Sequence, residues 1–140
     1  MDAVRPLLLL LALAAAVGCG SAENPTAPGP ARTTSVGAAV SLDPAAFAAA
    51  VTEQERVTVN VHVPYAGELA GTDLFLPYDR VETDAADLPA DRSTPLAVYC
   101  LTGRMSAEAV ADLRSLGYTD IVELAGGMRA WQQAGRPIQQ

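Results

Sequence analysis

Apolar and polar residues follow two different periods along the chain, and together they predict strands separated by helices. Residues 56–63 alternate between apolar and polar and are rich in Val, which is typical of a strand. Residues 96–99 and 121–124 are short apolar runs bounded by turn residues, as expected of buried strands. Between these two runs, apolar residues recur at helical spacing over residues 106–116. Residues 67–80 have no periodic pattern and are predicted to be irregular.

Two further helices are predicted from their boundary residues. Asp43 and Pro44 form a helix start, because a carboxylate accepts hydrogen bonds from the first free N–H groups and proline suits the first turn. The helix that they begin is predicted over residues 45–51, and a last helix over residues 128–134 ends at Gly135. Strands that alternate with helices predict an α/β domain whose mainly parallel sheet is flanked by helices.

The first residues have the composition of a targeting segment. Arg5 precedes an apolar run at residues 7–17, which is shorter than the about 20 residues that a membrane-spanning helix needs. Residues 1–18 are therefore predicted to be a signal peptide. Cys19 follows small residues in a pattern that resembles the lipobox of bacterial lipoproteins, where the Cys is acylated and becomes the first residue. The alternative is an ordinary signal peptide beside which Cys19 is incidental.

A tether and a domain are predicted to follow the signal peptide. Residues 19–40 are rich in Gly, Ser, Pro, Thr and Ala and hold few large apolar residues, which favours a flexible tether. Residues 41–140 are predicted to form one folded domain. A lipid on Cys19 would hold this domain on the outer face of the bacterial cytoplasmic membrane or in the periplasm.

Composition and charge narrow the function classes. Half of the 140 residues are apolar, which suffices for one domain with a core. The net charge is −7, and the nine basic residues, all Arg, form no basic stripe, which argues against nucleic acid as a partner. With one His and two Cys in the whole chain, no metal site is expected, and no cofactor motif is present. No feature predicts an oligomeric state.

Cys100 is the strongest candidate for chemistry. It ends the apolar run at residues 96–99 and opens a loop that leads into the predicted helix. Free N–H groups and the helix dipole at such a junction favour an anion, and a thiol placed there ionises more readily. The predicted binding loop consists of Leu101, Thr102, Gly103, Arg104 and Met105. The alternative is a buried structural Cys at the end of a strand.

Residues 98–138 resemble the C-terminal half of rhodanese-like domains. The resemblance rests on Cys100 and its helix, Leu116-Gly117-Tyr118, Gly126-Gly127, Trp131, Gly135 and Pro137. It implies a single rhodanese-like α/β domain and a sulfurtransferase that uses no cofactor. Cys100 would hold sulfane sulfur as a persulfide, stabilised by the N–H groups of the loop, and Arg104 would attract an anionic donor. The implied partners are a small sulfur-containing anion and a thiol acceptor.

The loop departs from the family pattern at two positions. Many active members carry a basic residue at the second or the sixth loop position, where this chain has Leu101 and Met105. This departure puts thiosulfate in doubt as the donor and leaves persulfides or polysulfides as alternatives. Phosphatase chemistry would need Arg directly after five intervening residues (Cys-x5-Arg), which is position 106, where Ser106 stands instead. A non-catalytic binding module on the same fold is the alternative function.

The remaining candidates are assigned mainly to structure. Phe47 and Trp131 are expected in the core. His62 has two interpretations, either a base near the pocket or a ring held by the backbone. Asp73, Tyr78 and Asp79 have two interpretations, either the rim of the pocket or the surface away from it, and the surface is favoured.

Overall fold

The computed structural model describes residues 39–140. The predicted signal peptide at residues 1–18, Cys19 and nearly all of the predicted tether lie outside the described residues. Within residues 39–140, no helix is long and apolar enough to span a bilayer.

Strands and helices alternate along the described part of the chain, as the sequence pattern predicts. They are β1 (Val40–Leu42), α1 (Pro44–Ala50), β2 (Val57–Asn60), β3 (Leu74–Phe75), β4 (Leu96–Tyr99), α2 (Arg104–Ser115), β5 (Ile121–Leu124) and α3 (Gly127–Gln133). Two single-turn 3-10 helices, Tyr78–Arg80 and Ala85–Asp87, lie between β3 and β4.

The five strands form one sheet in the order β1-β5-β4-β2-β3, and every pair is parallel. This arrangement confirms the predicted α/β class with a parallel sheet flanked by helices. All four residues of β4 are buried because the strand lies at the centre of the sheet with helices on both faces. The loop that begins at Cys100 therefore leaves the carboxyl end of the central strand.

Two apolar clusters cover the two faces of the sheet, because successive side chains of a strand point in opposite directions. Leu96, Val98 and Cys100 belong to the cluster on the α2 face, together with Ile121 of β5. Ala97 and Tyr99 point to the other face, where α1 and α3 pack. On that face Phe47 makes edge contacts with Tyr99 and Trp131 at centroid distances of 6.4 Å, which confirms both predicted core aromatics.

The predicted helix starts are confirmed, with small shifts. Asp43 Oδ1 accepts hydrogen bonds from the N–H groups of Ala45 and Ala46 at 2.9 Å, so it caps α1 as expected. The helix α2 begins at Arg104, two positions before the predicted start, because Gly103 at its N-cap adopts a left-handed φ of +96° that redirects the chain.

The segment at residues 67–80, predicted to be irregular, contains the edge strand β3. Asp73 helps to hold this strand, since its backbone N–H donates to the Thr58 carbonyl and its carboxylate accepts from the Thr58 N–H. The predicted strand at residues 56–63 ends earlier, at Asn60. The Asn60 side chain accepts from the His62 N–H and donates to the Gly67 carbonyl, which turns the chain away from the sheet.

Candidate active site

Cys100 lies directly after β4, with only 1% of its surface exposed. Its Sγ accepts a hydrogen bond from the Gly103 N–H at 3.0 Å. The Ser106 hydroxyl lies 3.6 Å from the same sulfur, in the first turn of α2. Because the first N–H groups of a helix have no partner inside the helix, the sulfur lies where partial positive charge collects.

The start of α3 holds the backbone of the Cys100 loop through two hydrogen bonds. The N–H of Met128 donates to the Cys100 carbonyl at 2.9 Å, and the N–H of Arg129 donates to the Leu101 carbonyl at 3.0 Å. Gly127 allows this close approach. A Cβ at Gly127 would lie 2.6 Å from the carbonyl carbon of Leu101 and the amide nitrogen of Thr102. The Gly126-Gly127 pair thus fits the loop against the helix.

A cavity of about 250 Å³ opens above the Cys100 thiol, and we call it the Cys100 pocket. Four of the predicted loop residues line it, whereas Gly103 contributes its N–H to the sulfur without lining the cavity. The pocket is lined by His62, Tyr78, Cys100, Leu101, Thr102, Arg104, Met105 and Glu108.

Three pocket residues come from outside the predicted loop. Tyr78 lines the pocket from the 3-10 helix that follows β3, so the pocket position holds for it and the favoured surface position does not. His62 lines it from the segment after β2. Glu108 was not singled out from the sequence, although it follows Arg104 by one helical turn and therefore shares its helix face. Asp73 and Asp79 are exposed, as expected.

Charge at the mouth of the pocket is mixed. Among the described residues that line the pocket, Arg104 supplies the guanidinium, and its side chain is 88% exposed. The Arg104 Nε lies 3.6 Å from Glu108 Oε1. The negative carboxylate therefore offsets part of the attraction that Arg104 exerts on an anion, and solvent screens both charges.

The His62 ring is held by a sulfur contact rather than by the backbone. Its Nδ1 lies 3.3 Å from the Sδ of Met105, and only 7% of the residue is exposed. Since a thioether only accepts hydrogen bonds, this contact favours the tautomer with the proton on Nδ1 and leaves Nε2 as the acceptor. Burial lowers the pKa of His62 from its ordinary value of 6.5, because it disfavours the charged ring.

Within residues 39–140, no group of three or more His, Cys, Asp and Glu side chains is arranged to hold a metal ion.

Residues 52–134 match the family model described as the rhodanese-like domain. This match covers more than half of the chain, so the chain belongs to the rhodanese-like domain family. The fold agrees with a rhodanese-related protein from Thermoplasma volcanium, with a TM-score of 0.60 and 26% identity over 71% of this chain and 96% of that one.

Two curated relatives carry sulfurtransferase in their names. A protein of Allochromatium vinosum named "Sulfurtransferase" is 35% identical over 65 residues, which are 46% of this chain and 59% of that protein. The Mycobacterium tuberculosis protein named "Probable adenylyltransferase/sulfurtransferase MoeZ" is 46% identical over 52 residues, which are 37% of this chain and 13% of that protein. The chain thus spans less than two thirds of either relative.

We predict that Gly127→Ala will disturb the Cys100 loop. The added methyl group meets backbone atoms that cannot rotate away, and the φ of +60° already strains any residue with a Cβ. We expect the free energy of unfolding in urea to fall by about 2–4 kcal/mol.

Gly135→Ala is the matched control for this prediction. Gly135 also has a positive φ, of +76°, but a Cβ there would meet nothing within 4 Å. Its expected loss is the strain alone, about 1–2 kcal/mol. Equal losses in the two variants would show that the contact of Gly127 with the loop contributes nothing.

Proposed function

We propose that the protein is a sulfurtransferase that carries sulfane sulfur as a persulfide on Cys100. The observation that carries this proposal is the Gly103 N–H held 3.0 Å from the Cys100 sulfur at the base of an open pocket. The Cys100 thiolate attacks the outer sulfur of the donor and forms an S–S bond with it. The bond between that sulfur and the rest of the donor breaks, and the rest of the donor leaves with its electron pair. With thiosulfate, the leaving group is sulfite.

The loop suits the persulfide for the same reason that an oxyanion hole suits a tetrahedral intermediate. Preorganised N–H groups stabilise negative charge without reorganising during the reaction. We expect the loop N–H groups and the first N–H groups of α2, which have no partner inside the helix, to face the place where the outer sulfur would carry its charge. The carbonyls of Cys100 and Leu101 are held by α3, so they do not compete for that place.

The charges at the pocket support a persulfide or polysulfide donor over thiosulfate. Leu101 and Met105 are apolar where many family members are basic, and Arg104 is partly offset by Glu108. A doubly charged donor such as thiosulfate gains little electrostatic attraction from such a surface. An organic persulfide has only one charge, and its apolar part can contact the apolar lining residues. The Met105 thioether adds a soft, polarisable wall beside the thiol.

We predict that the intact protein will gain about 32 Da, the mass of one sulfur atom, when it is incubated with a polysulfide. The fraction of the protein that gains this mass should be smaller with thiosulfate. In Cys100→Ser, no protein should gain it. Cys19→Ala is the control for the other cysteine, and it should load sulfur as the unaltered chain does. Intact-mass spectrometry checks all four cases.

The opposite result has a defined meaning. If neither donor adds sulfur to a folded protein whose Cys100 thiol is free, the protein is not a sulfur carrier. The non-catalytic binding module then becomes the better assignment for the same fold.

His62 is the best placed group to take the proton of a thiol acceptor. It lines the pocket beside Cys100, burial favours its neutral form, and Nε2 carries the lone pair in the tautomer that the Met105 contact favours. The acceptor sulfur attacks the outer persulfide sulfur, its proton passes to His62, and Cys100 Sγ leaves with the electron pair of the S–S bond.

We predict that sulfur discharge to a thiol will depend on the ionisation of His62. Because its pKa is lowered, the rate should fall only as the pH drops through a value below 6.5. In His62→Gln this acid limb should disappear and the rate at pH 7 should fall about 10²-fold. The pH–rate profile of discharge measures both effects, and an acid limb that persists in His62→Gln would assign it to another group.

We also propose, from the sequence alone, that Cys19 is acylated and anchors the domain outside the cytoplasmic membrane. In a bacterial host, the full chain should partition into the detergent phase of a Triton X-114 extract. Cys19→Ser should lose this partitioning once the signal peptide is removed, because the mature chain then has no acyl chain to insert into the detergent. Equal partitioning of both proteins would refute acylation.

A further inference from the structure

A carboxylate interrupts the apolar face of β5. Residues two apart in a strand share a face, so Glu123 lies on the same face as Ile121, which packs with Cys100 in the cluster under α2. Glu123 is partly buried and pairs in register with Val98 of the central strand. Apolar side chains occupy the neighbouring positions of this face, and a charged group among them is costly unless it has a hydrogen-bond partner.

The partner of Glu123 is the Ser106 hydroxyl, which is completely buried. Ser106 Oγ lies 2.6 Å from Glu123 Oε1, 3.0 Å from the Gly103 carbonyl oxygen and 3.6 Å from Cys100 Sγ. A hydroxyl has one hydrogen to donate. The carboxylate makes the shortest contact and, being charged, is the strongest acceptor, so the hydrogen points to Glu123.

This orientation decides what Ser106 offers to the Cys100 sulfur. With its hydrogen on Glu123, Ser106 presents a lone pair to the sulfur. A protonated thiol can donate to that lone pair, which completes a chain from S–H to O–H to carboxylate. A thiolate would instead face a lone pair, with a second negative charge immediately behind it, and like charges disfavour ionisation.

We propose that Glu123, acting through Ser106, is a positioning residue that favours the protonated thiol of Cys100 over its thiolate. The Gly103 N–H and the start of α2 act in the opposite direction. The reactivity of the thiol therefore reflects a balance between a donor in the loop and an acceptor in the sheet.

The same arrangement deepens the proposed function, on which this step rests. A sulfur added to Cys100 has to lie in the Cys100 pocket, which Ser106 and Glu123 do not line. The negative charge of the persulfide then lies on the outer sulfur, one S–S bond of about 2 Å farther from Glu123. Glu123 thus penalises the empty thiolate more than the loaded persulfide, which favours loading.

Other ionisable side chains face Cys100 from the elements around it and have to be kept constant in a test. They are His62 after β2, Tyr78 in the 3-10 helix, and Arg104 and Glu108 on α2. None of these four is changed by a substitution at position 123, so a variant there isolates the contribution of Glu123.

The test is the pH profile of alkylation of the purified protein by iodoacetamide, an uncharged reagent. The thiolate displaces iodide and the thiol proton goes to the buffer, so the rate follows the thiolate fraction. We expect Glu123→Gln, which keeps the shape and an acceptor oxygen, to lower the midpoint by about one pH unit. Below the midpoint, alkylation should be about 10-fold faster than in the unaltered protein.

Glu108→Gln is the matched control, because it also removes a carboxylate near the thiol but one that lines the solvent-open pocket. It should change the rate less than about twofold, since solvent screens an exposed charge. Circular dichroism and urea unfolding confirm that each variant is folded.

A double-mutant cycle tests whether Glu123 acts through Ser106. If it does, Glu123→Gln should change the rate less than about threefold in a Ser106→Ala background. A tenfold effect in both backgrounds would show a direct effect of charge and overturn the role of Ser106. An unchanged profile in Glu123→Gln would overturn the proposal altogether. Alkylation needs no sulfur donor, so either failure is distinguishable from a failure of the proposed sulfur transfer.

Discussion

The site depends on two backbone hydrogen bonds that the start of α3 makes to the Cys100 loop. By holding the carbonyls of Cys100 and Leu101, they fix the backbone of the loop whose Gly103 N–H faces the sulfur. Gly127 is the residue that permits this contact, because any side chain there would collide with the loop. The electrostatics of the thiol therefore follow from how closely a helix packs on a loop.

The sheet places opposing influences on one sulfur. The central strand β4 ends at Cys100, while its neighbour β5 brings Glu123 to the same face. The loop supplies the Gly103 N–H as a donor, whereas Ser106 of α2, bound to Glu123 of the sheet, presents an acceptor. Because parallel strands end at a common edge, groups that are distant in sequence meet around this atom.

The fold was largely predictable where local patterns are strong. The buried run of β4, the amphipathic helix α2 and the Asp43 cap each carry a signal within a few residues, and all three are confirmed. The strands β1 and β3 were not predicted, since three-residue and two-residue strands are too short to show alternation and depend on pairing with neighbours.

The predicted loop residues do surround Cys100, but the roles of their neighbours depend on tertiary contacts. Tyr78 enters the pocket from a short 3-10 turn whose direction no periodicity fixes. In the sequence, Glu123 is a charged residue within an apolar strand, which indicates a solvent-facing position. Its role depends on the contact with Ser106, which only the fold brings beside it.

The packing of α3 on the loop also has a consequence for synthesis of the chain. The Cys100 loop emerges from the ribosome well before Gly127 does, together with β4 and α2. Until α3 docks, its two hydrogen bonds to the Cys100 and Leu101 carbonyls are missing. A chain interrupted before Gly127 would therefore contain Cys100 without the contacts that fix the backbone of its loop.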